Sequence, residues 1–213
     1  MKLTEPILSA LSDAQRRRKR IVDVLLGGVA FLAAFPIFLL TAIFIRLDSP
    51  GPALFRQKRV GEGGKLFPMF KFRSMVANAE AMQNDALARD ESGNYVYKLE
   101  DDPRITRVGK WIRRSSVDEL PQLLNVLRGE MSLIGPRPEL PFIVEEFYEP
   151  WQYERFAVPQ GMTGWWQVNG RSERPMHLNT EDDLYYIRNY SLWLDFEILL
   201  RTLRAVVTGR GAF

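Results

Sequence analysis

The sequence predicts a predominantly helical α+β fold attached to a membrane, and three patterns in its 213 residues support this prediction. A long apolar run, Ile21 to Ile45, is typical of a membrane helix. Short apolar groups on either side of the "GEGG" at residues 61–64 indicate a hairpin of two strands. Apolar residues from Leu192 to Val207 recur at helical spacing opposite Asp195. That last stripe fits either a core-facing helix or, with Trp193 beside it, a helix lying on lipid.

The apolar run carries one charge, Asp23, and as a helix it would extend roughly 37 Å, enough to cross a hydrocarbon core. Basic residues occupy positions 16–20 before it, and others follow from Arg46 onward, so both flanks favour the cytoplasmic side. Pro36 removes a helical hydrogen bond in the middle of the run. Two topologies stay open: a segment that enters and returns to the same face, and a Pro-kinked helix that spans the bilayer.

Beyond Pro52 the sequence has the character of a charged, soluble domain. We expect a strand over Leu66–Phe72 in the predicted hairpin and an exposed helix over residues 76–89. A further helix is expected from Leu120 to Leu127, ending at Gly129, because glycine is common just after a helix C-terminus.

The composition excludes several kinds of chemistry. With 29 Lys and Arg against 26 Asp and Glu, the net charge of +3 gives no indication of nucleic-acid binding. The chain has no cysteine, which excludes disulfides, thiolate nucleophiles and Cys-ligated zinc. His177 is the single histidine, so a triad built on it stays open while a site with two histidine ligands is excluded. Acid–base chemistry therefore falls mainly to carboxylates.

The most informative short stretch is "SSVDELPQ", in which Asp118 and Glu119 follow Arg113 closely. Pro121 fits best among the first positions of a helix, so we expect the helix to begin near residues 117–118 with the acids at its tip. One interpretation is a plain helix start with a capping box between Ser116 and Glu119. The other is a site in which the carboxylates hold Mg²⁺ or leave one free as a nucleophile, while arginine attracts phosphate.

Several motifs in a fixed order decide between these interpretations. They are "KRIVDV", "FRQKRVG", "FKFRSM", "DDPRITRVGKWIRRSSVDELPQLLNVLRGEMSLIGPRPE", "GMTGWWQVNGR" and "DLYYIRNYSLWLDFEILLRT". Together they resemble the monotopic phosphoglycosyl transferases, also called bacterial sugar transferases, from about Lys19 onward. The resemblance implies a cytosolic segment over 1–18, a re-entrant helix–break–helix over 19–47 and a cytosolic catalytic domain over 48–213, with a short β-hairpin and interfacial amphipathic helices.

The resemblance also implies a reaction. Members transfer a sugar 1-phosphate from a UDP-sugar to a polyprenyl phosphate such as undecaprenyl phosphate, which gives a polyprenyl diphosphate sugar and UMP. This step initiates the synthesis of exopolysaccharide, capsule, O-antigen or glycoprotein glycans. The expected location is the bacterial inner membrane, in contact with lipid and with the catalytic domain on the cytoplasmic face. The expected partners include no nucleic acid, and a homodimer stays open.

Site residues carry over one by one to the matching positions. The resemblance implies that Asp118 is the nucleophile, that it forms an aspartyl phosphosugar intermediate, and that Glu119 acts with it on Mg²⁺. It implies that Arg113 and Arg137 contact phosphate and that Lys71 is a further cationic site residue.

The chain departs from the family pattern at two places. Phe35 stands where relatives often have serine before the proline of the membrane break, Pro36. The usual "PG" before "TGW" reads Pro159-Gln160-Gly161. Two other functions stay open as rivals, a membrane-bound metal-dependent phosphohydrolase of nucleotide sugars and a non-catalytic, membrane-tethered interaction protein. Release of UMP that yields product only with a lipid acceptor separates all three.

Overall fold

The computed structural model describes residues 7–79, 102–169 and 176–208 of the chain. Its helices are α1 (Asp13–Asp48), α2 (Arg107–Arg114), α3 (Gln122–Arg128), α4 (Pro141–Phe147), α5 (Trp165–Asn169), α6 (Glu181–Arg188) and α7 (Leu192–Thr208). Its strands are β1 (Leu54–Val60), β2 (Leu66–Phe72), β3 (Ser132–Ile134) and β4 (Gly161–Thr163). Short 3₁₀ turns cover Glu62–Gly64, Val117–Glu119, Pro150–Ala157 and Met176–Leu178. The predominantly helical α+β class is confirmed.

Helix α1 contains the apolar run and begins earlier than the predicted boundary at Lys19. Ser12 caps it, accepting a hydrogen bond from the Gln15 backbone N–H, and the first helical residue is Asp13. Pro36 lies inside the helix, so the predicted break at Phe35 and Pro36 does not divide the segment into two helices. A proline costs the helix one backbone hydrogen bond, and the turns on either side keep theirs. Within the described ranges, α1 is the one helix long and apolar enough to cross a membrane.

The first turns of α1 are joined to the rest of the domain by buried charges. The Lys19 ammonium lies 2.7 Å from the Asp195 carboxylate, and these residues are 2% and 5% exposed. The Asp23 carboxylate accepts hydrogen bonds from the Ser132 hydroxyl and the Leu133 backbone N–H, both at 2.9 Å. The one charge in the apolar run therefore connects α1 to strand β3.

The last turns of α1 contact the same domain from another side. Ile45 packs in a buried cluster with Phe72 of β2 and Ile112 of α2. The Asp48 carboxylate accepts a hydrogen bond of 2.9 Å from the backbone N–H of Val108. Both ends of the apolar helix are thus fixed to one folded unit.

The predicted hairpin and the strand over Leu66–Phe72 are confirmed. Strands β1 and β2 pair antiparallel, from Leu54 opposite Phe72 to Val60 opposite Leu66. Gly63, at φ +64°, supplies the left-handed conformation that the connecting turn requires. Helix α3 ends at Gly129, as the sequence predicts, with φ +81°. Of the helix expected over 76–89, residues 77–79 form a turn, and positions from 80 onward lie outside the described residues.

Helix α7 forms where the sequence predicts it, and its orientation differs from the core-facing interpretation of its apolar stripe. Leu194, Ile198 and Asp195 face the core, although the pattern placed Asp195 on the solvent side. Most of the predicted apolar stripe points outward instead, while Leu199 packs against the core. The exposed members of the stripe are Leu192, Phe196, Leu200 and Leu203, and Trp193 beside them is exposed too. Asp195 turns inward because Lys19 and the Tyr186 hydroxyl both donate hydrogen bonds to it. The apolar periodicity of α7 contains no information on either partner, since both lie on other helices.

The buried pair between Lys19 and Asp195 gives a first prediction. Lys19→Met should lower the free energy of unfolding by about 3–5 kcal/mol, because it leaves the Asp195 charge buried without a counter-ion. Reversible denaturant unfolding in detergent micelles measures the change. The matched control is Arg188→Met, which breaks an exposed pair with Glu154 at 3.8 Å and should cost less than about 1 kcal/mol. Equal losses in the two variants would contradict a special role for the buried pair.

Candidate active site

The two adjacent acids lie on a short 3₁₀ turn between α2 and α3. Ser116 enters this turn in the left-handed conformation, with φ +56°, and its side chain makes no capping hydrogen bond. The predicted capping box with Glu119 is therefore wrong. Helix α3 begins at Gln122, directly after Pro121, and not near residues 117–118. The carboxylate of Glu119 is bound instead by cations from two other segments.

Glu119 joins three parts of the chain. Its Oε1 lies 3.4 Å from the ammonium of Lys71, near the end of β2. The guanidinium of Arg137, in the loop after β3, donates to both carboxylate oxygens, with Nη1 3.3 Å from Oε2 and Nη2 on Oε1. The side chains of Lys71, Glu119 and Arg137 are 18%, 16% and 20% exposed, so the cluster opens to the surface. Such a partly desolvated pair of cations is suited to binding anionic oxygens.

Asp118 differs from its neighbour because it has no hydrogen-bond or ion-pair partner among the described residues. Among the described residues, none donates a hydrogen bond to its carboxylate, although Lys71, Arg113 and Arg137 lie within electrostatic range. Burial raises the pKa of Asp118, the negative charge of Glu119 raises it further, and the three cations oppose both effects. Asp118 is therefore a carboxylate near three cations and one other acid, and its oxygens accept no hydrogen bond from the described residues.

Lys71 titrates in an unusual range for a lysine. Burial lowers its pKa to about 8, the charges of Arg137 and Arg59 lower it too, and Glu119 and Asp118 act in the opposite direction. The structure thus brings together Lys71, Asp118, Glu119 and Arg137, with Arg113 close enough to act through its charge. Phe35 and Pro36 lie on the exposed surface of α1.

A buried network behind Arg137 was not found by sequence reasoning. Arg155, fully buried, donates from Nη2 to the Arg137 carbonyl at 2.7 Å and pairs with the buried Asp183. Burial raises the pKa of Asp183 to about 6, and the Arg155 charge opposes that increase. Glu139 is also fully buried, 3.8 Å from Arg59. Nothing in the local sequence distinguishes Arg155 from a surface arginine, because its partners are 18 and 28 residues away.

The departure at Pro159-Gln160-Gly161 has a structural account. Gln160 is fully buried, and its amide donates to the carbonyls of Arg155 and Val158, both at 3.0 Å. The backbone of Gly161 donates to the Pro136 carbonyl at 2.8 Å, next to the site arginine. The side chain of Gln160 therefore closes the preceding turn while the backbone supports the loop that carries Arg137.

The site offers two adjacent carboxylates to a metal ion. In the part of the chain that the structure describes, no group of three or more acidic or histidine side chains converges on one point. Two carboxylates fit the way Mg²⁺ is held at phosphate sites, where substrate oxygens and water complete the coordination.

A family comparison identifies the chain. The family model for bacterial sugar transferases matches residues 14–209, which include all the motifs of the site. The chain belongs to the bacterial sugar transferase family.

Named relatives agree with this membership. The chain is 42% identical over 205 residues to the undecaprenyl-phosphate galactose phosphotransferase of Salmonella typhimurium, covering 94% of the chain and 42% of the relative. It is 38% identical over 210 residues to the UDP-glucose:undecaprenyl-phosphate glucose-1-phosphate transferase of Escherichia coli, covering 95% and 43%. It is 36% identical over 199 residues to the exopolysaccharide production protein ExoY of Sinorhizobium fredii, covering 92% and 88%. Against the first two sugar transferases, the chain spans less than half of the relative's length.

The cation pair on Glu119 gives a second prediction. The Lys71 amine should become reactive with a midpoint near pH 8, because only the neutral amine acylates. In Glu119→Gln the midpoint should move to lower pH, since the glutamate charge that favours the ammonium is lost. Acetylation rates of single lysines, measured by mass spectrometry across pH, test both statements. The reactivity of the exposed Lys58 serves as the internal control and should be the same in both proteins. An unchanged midpoint at Lys71 would contradict the contact with Glu119.

Proposed function

We propose that this chain transfers a sugar 1-phosphate from a UDP-sugar to a polyprenyl phosphate, as the first step in building a surface glycan. The observation that carries the proposal is the arrangement at the acid pair. Glu119 is ion-paired with both Lys71 and Arg137, while the neighbouring Asp118 has no hydrogen-bond donor among the described residues. Cations that bind diphosphate oxygens next to an uncommitted carboxylate suit nucleophilic attack on phosphorus. The names of the relatives, with undecaprenyl phosphate as acceptor and in one case a UDP-sugar as donor, support the same reaction.

The chemistry proceeds in two displacements. A carboxylate oxygen of Asp118 attacks the β-phosphorus of the UDP-sugar, the bond from that phosphorus to the bridging oxygen breaks, and UMP leaves. An oxygen of the polyprenyl phosphate then attacks the aspartyl phosphosugar, which releases the carboxylate and forms the lipid diphosphate. Both nucleophiles are ionised near neutrality, so neither step needs a strong general base. The obstacle is repulsion between anions, and Lys71, Arg113 and Arg137 reduce it.

Asp118 and Glu119 are the residues that would hold Mg²⁺. The ion, when bound, supplies positive charge that neutralises the diphosphate and polarises its oxygens. Glu119 also orients Arg137, because each of its carboxylate oxygens accepts a hydrogen bond from a different nitrogen of the guanidinium.

Contacts at both ends of α1 support a re-entrant topology on the cytoplasmic face of the inner membrane. Arg16, before the apolar run, is ion-paired with Glu62 in the hairpin turn after it. Lys19 and Asp48, at opposite ends of the run, also bind the same folded domain. A helix that crossed the bilayer would separate these partners by a hydrocarbon core of about 30 Å.

The outward stripe of α7 supports a second contact with lipid. Trp193 is 72% exposed, with Phe196, Leu200 and Leu203 beside it on the same side of the helix. An apolar face rich in leucine with an exposed tryptophan is typical of helices that lie in the membrane interface. We therefore favour the interfacial interpretation of this helix.

The nucleophile assignment gives a third prediction. Asp118→Asn should abolish UMP release, because a neutral amide cannot form the acyl phosphate. The wild type incubated with labelled UDP-sugar and no lipid should gain the mass of one phosphosugar, and Asp118→Asn should not. Intact-protein mass spectrometry and UMP release measure the two effects.

The matched control for this experiment is Asp182→Asn. Asp182 lies in the first turn of α6, outside the site, and the variant should keep near-normal turnover. Near-normal UMP release from a folded Asp118→Asn protein would disprove the assignment. UMP release without lipid product would indicate a phosphohydrolase instead.

The topology gives a fourth prediction. Single cysteines at Ser9 and Lys65, both exposed, report the compartment of each end of α1 in a chain with no native cysteine. In intact cells neither should react with an impermeant maleimide, and both should react once the inner membrane is opened. Labelling of Ser9→Cys alone from outside would mean that α1 spans the bilayer. Lys65 is preferred to Glu62 as the reporter because Glu62 is paired with Arg16.

A further inference from the structure

Helix α2 presents an exposed face that no part of the proposed reaction uses. It consists of Arg107, Lys110, Trp111 and Arg114, which lie together on one side of the helix. Trp111 is 58% exposed, and the three basic residues around it are exposed as well. None of the ion pairs between described residues involves a cation of this face. A large aromatic side chain among basic residues that form no ion pair with any described acid is an unusual surface for contact with water alone.

The opposite side of α2 packs closely against the folded domain. Ile112 is fully buried against Ile45 of α1. Gly109 lies so close to the Ser74 carbonyl that an added Cβ would be 1.9 Å from its oxygen. This close contact allows only glycine, and it fixes which side of α2 faces outward.

The position of α2 along α1 sets its level relative to a bilayer. The backbone N–H of Val108 donates to the carboxylate of Asp48, at the end of α1. The apolar run ends at Ile45 and is followed by the exposed Arg46, which marks the boundary between hydrocarbon and headgroups. A bilayer around the apolar run would therefore place helix α2 at headgroup level. Tryptophan and basic residues are the side chains enriched at that level.

We propose that the exposed face of α2 binds the headgroups of anionic phospholipids. The basic residues supply the attraction to a negatively charged membrane surface, and Trp111 supplies an amphipathic ring that is stable at the interface. This inference rests on the membrane location in the proposed function. It adds a charge-dependent contact to the apolar contacts of α1 and α7, with the phospholipid phosphate as its ligand.

The contact has a consequence for the site. The last turn of α2 contains Arg113, and the chain passes from it through Ser116 directly to Asp118. Headgroup binding along α2 would hold Asp118 beside the layer in which the phosphate of a lipid acceptor lies. The four residues of the face are then positioning residues that act through the orientation of the domain.

The test measures which lipids stay bound to the full chain. Protein purified in neutral micelles containing equal amounts of phosphatidylglycerol and phosphatidylcholine is washed, and the retained lipids are quantified by mass spectrometry. We expect the wild type to retain phosphatidylglycerol in excess. Lys110→Gln/Arg114→Gln should reduce the excess roughly 10- to 30-fold, because each basic residue near a membrane surface contributes about a factor of five. Trp111→Ala should reduce it less, and raising the salt concentration should weaken it in the wild type.

The matched control is Lys58→Gln/Arg188→Gln, which removes the same charge from exposed positions on β1 and α6. Its lipid preference should equal that of the wild type, and both double variants should unfold at the wild-type temperature. No preference in the wild type, or an equal loss in both double variants, would overturn the proposal. In a second set of micelles that also contains polyprenyl phosphate, retention of polyprenyl phosphate in place of phosphatidylglycerol would overturn it as well, because it would indicate an acceptor site. Lipid retention is measured without UDP-sugar, and UMP release is measured separately with UDP-sugar and polyprenyl phosphate. A chain that retains phosphatidylglycerol in the first assay but releases no UMP in the second contradicts the proposed function and supports this inference.

Discussion

The contact between Lys19 and Asp195 fixes the apolar helix to the folded domain, and the placement of the remaining elements depends on it. Two charges that are almost entirely removed from water are stable only as a pair with further hydrogen bonds. The Tyr186 hydroxyl supplies one of these, at 2.7 Å from the second oxygen of Asp195. Because both partners are buried, α1 cannot slide or rotate against α7 without leaving a buried charge unpaired. Electrostatics, together with apolar packing, therefore sets the position of the folded domain along the axis of α1.

The site shows the same principle at its surface. Lys71, Glu119 and Arg137 come from a hairpin strand, a 3₁₀ turn and a loop, and their charges hold the three segments together. Behind them, Arg155 binds the Arg137 backbone and is itself neutralised by Asp183. The site arginine is thus held by its guanidinium at the front and by its carbonyl at the back. A cation restrained at both ends is preorganised for a charged ligand, since little rearrangement is left for the moment of binding.

Local patterns predicted the local structure well. The strand Leu66–Phe72 follows from alternating apolar residues after a glycine-rich turn, and Gly129 ends α3 for a reason contained in a few residues. The patterns failed where a distant partner decides the outcome. The local pattern favours a solvent-facing Asp195, whereas the structure pairs it with Lys19. The spacing of Ser116 and Glu119 suggests a capping box, whereas in the structure Lys71 and Arg137 bind the Glu119 carboxylate.

The spacing of residues along the sequence likewise could not predict which residues come together in the site. Lys71 and Glu119 are 48 residues apart, and only the resemblance to a family suggested that they belong together. Arg155 stayed unnoticed because its function is to support a backbone carbonyl, and such contacts have no sequence signature. The local sequence motif alone identified the two acids of the site, Asp118 and Glu119. Their electrostatic partners are a property of the tertiary fold.

In the proposed reaction, the ion pairs of Glu119 also affect how long the nucleotide stays bound. A phosphate that enters the site competes with the Glu119 carboxylate for Lys71 and Arg137. If these cations had no acidic partner, the phosphate would displace only water from them. This competition weakens the hold on the nucleotide product as much as the hold on the donor, because both present the same kind of oxygen to the same cations. A weaker hold shortens residence time more than it slows arrival. In that reaction, the carboxylate of Glu119 would favour release of the nucleotide and leave the two cations available to the lipid-borne phosphate.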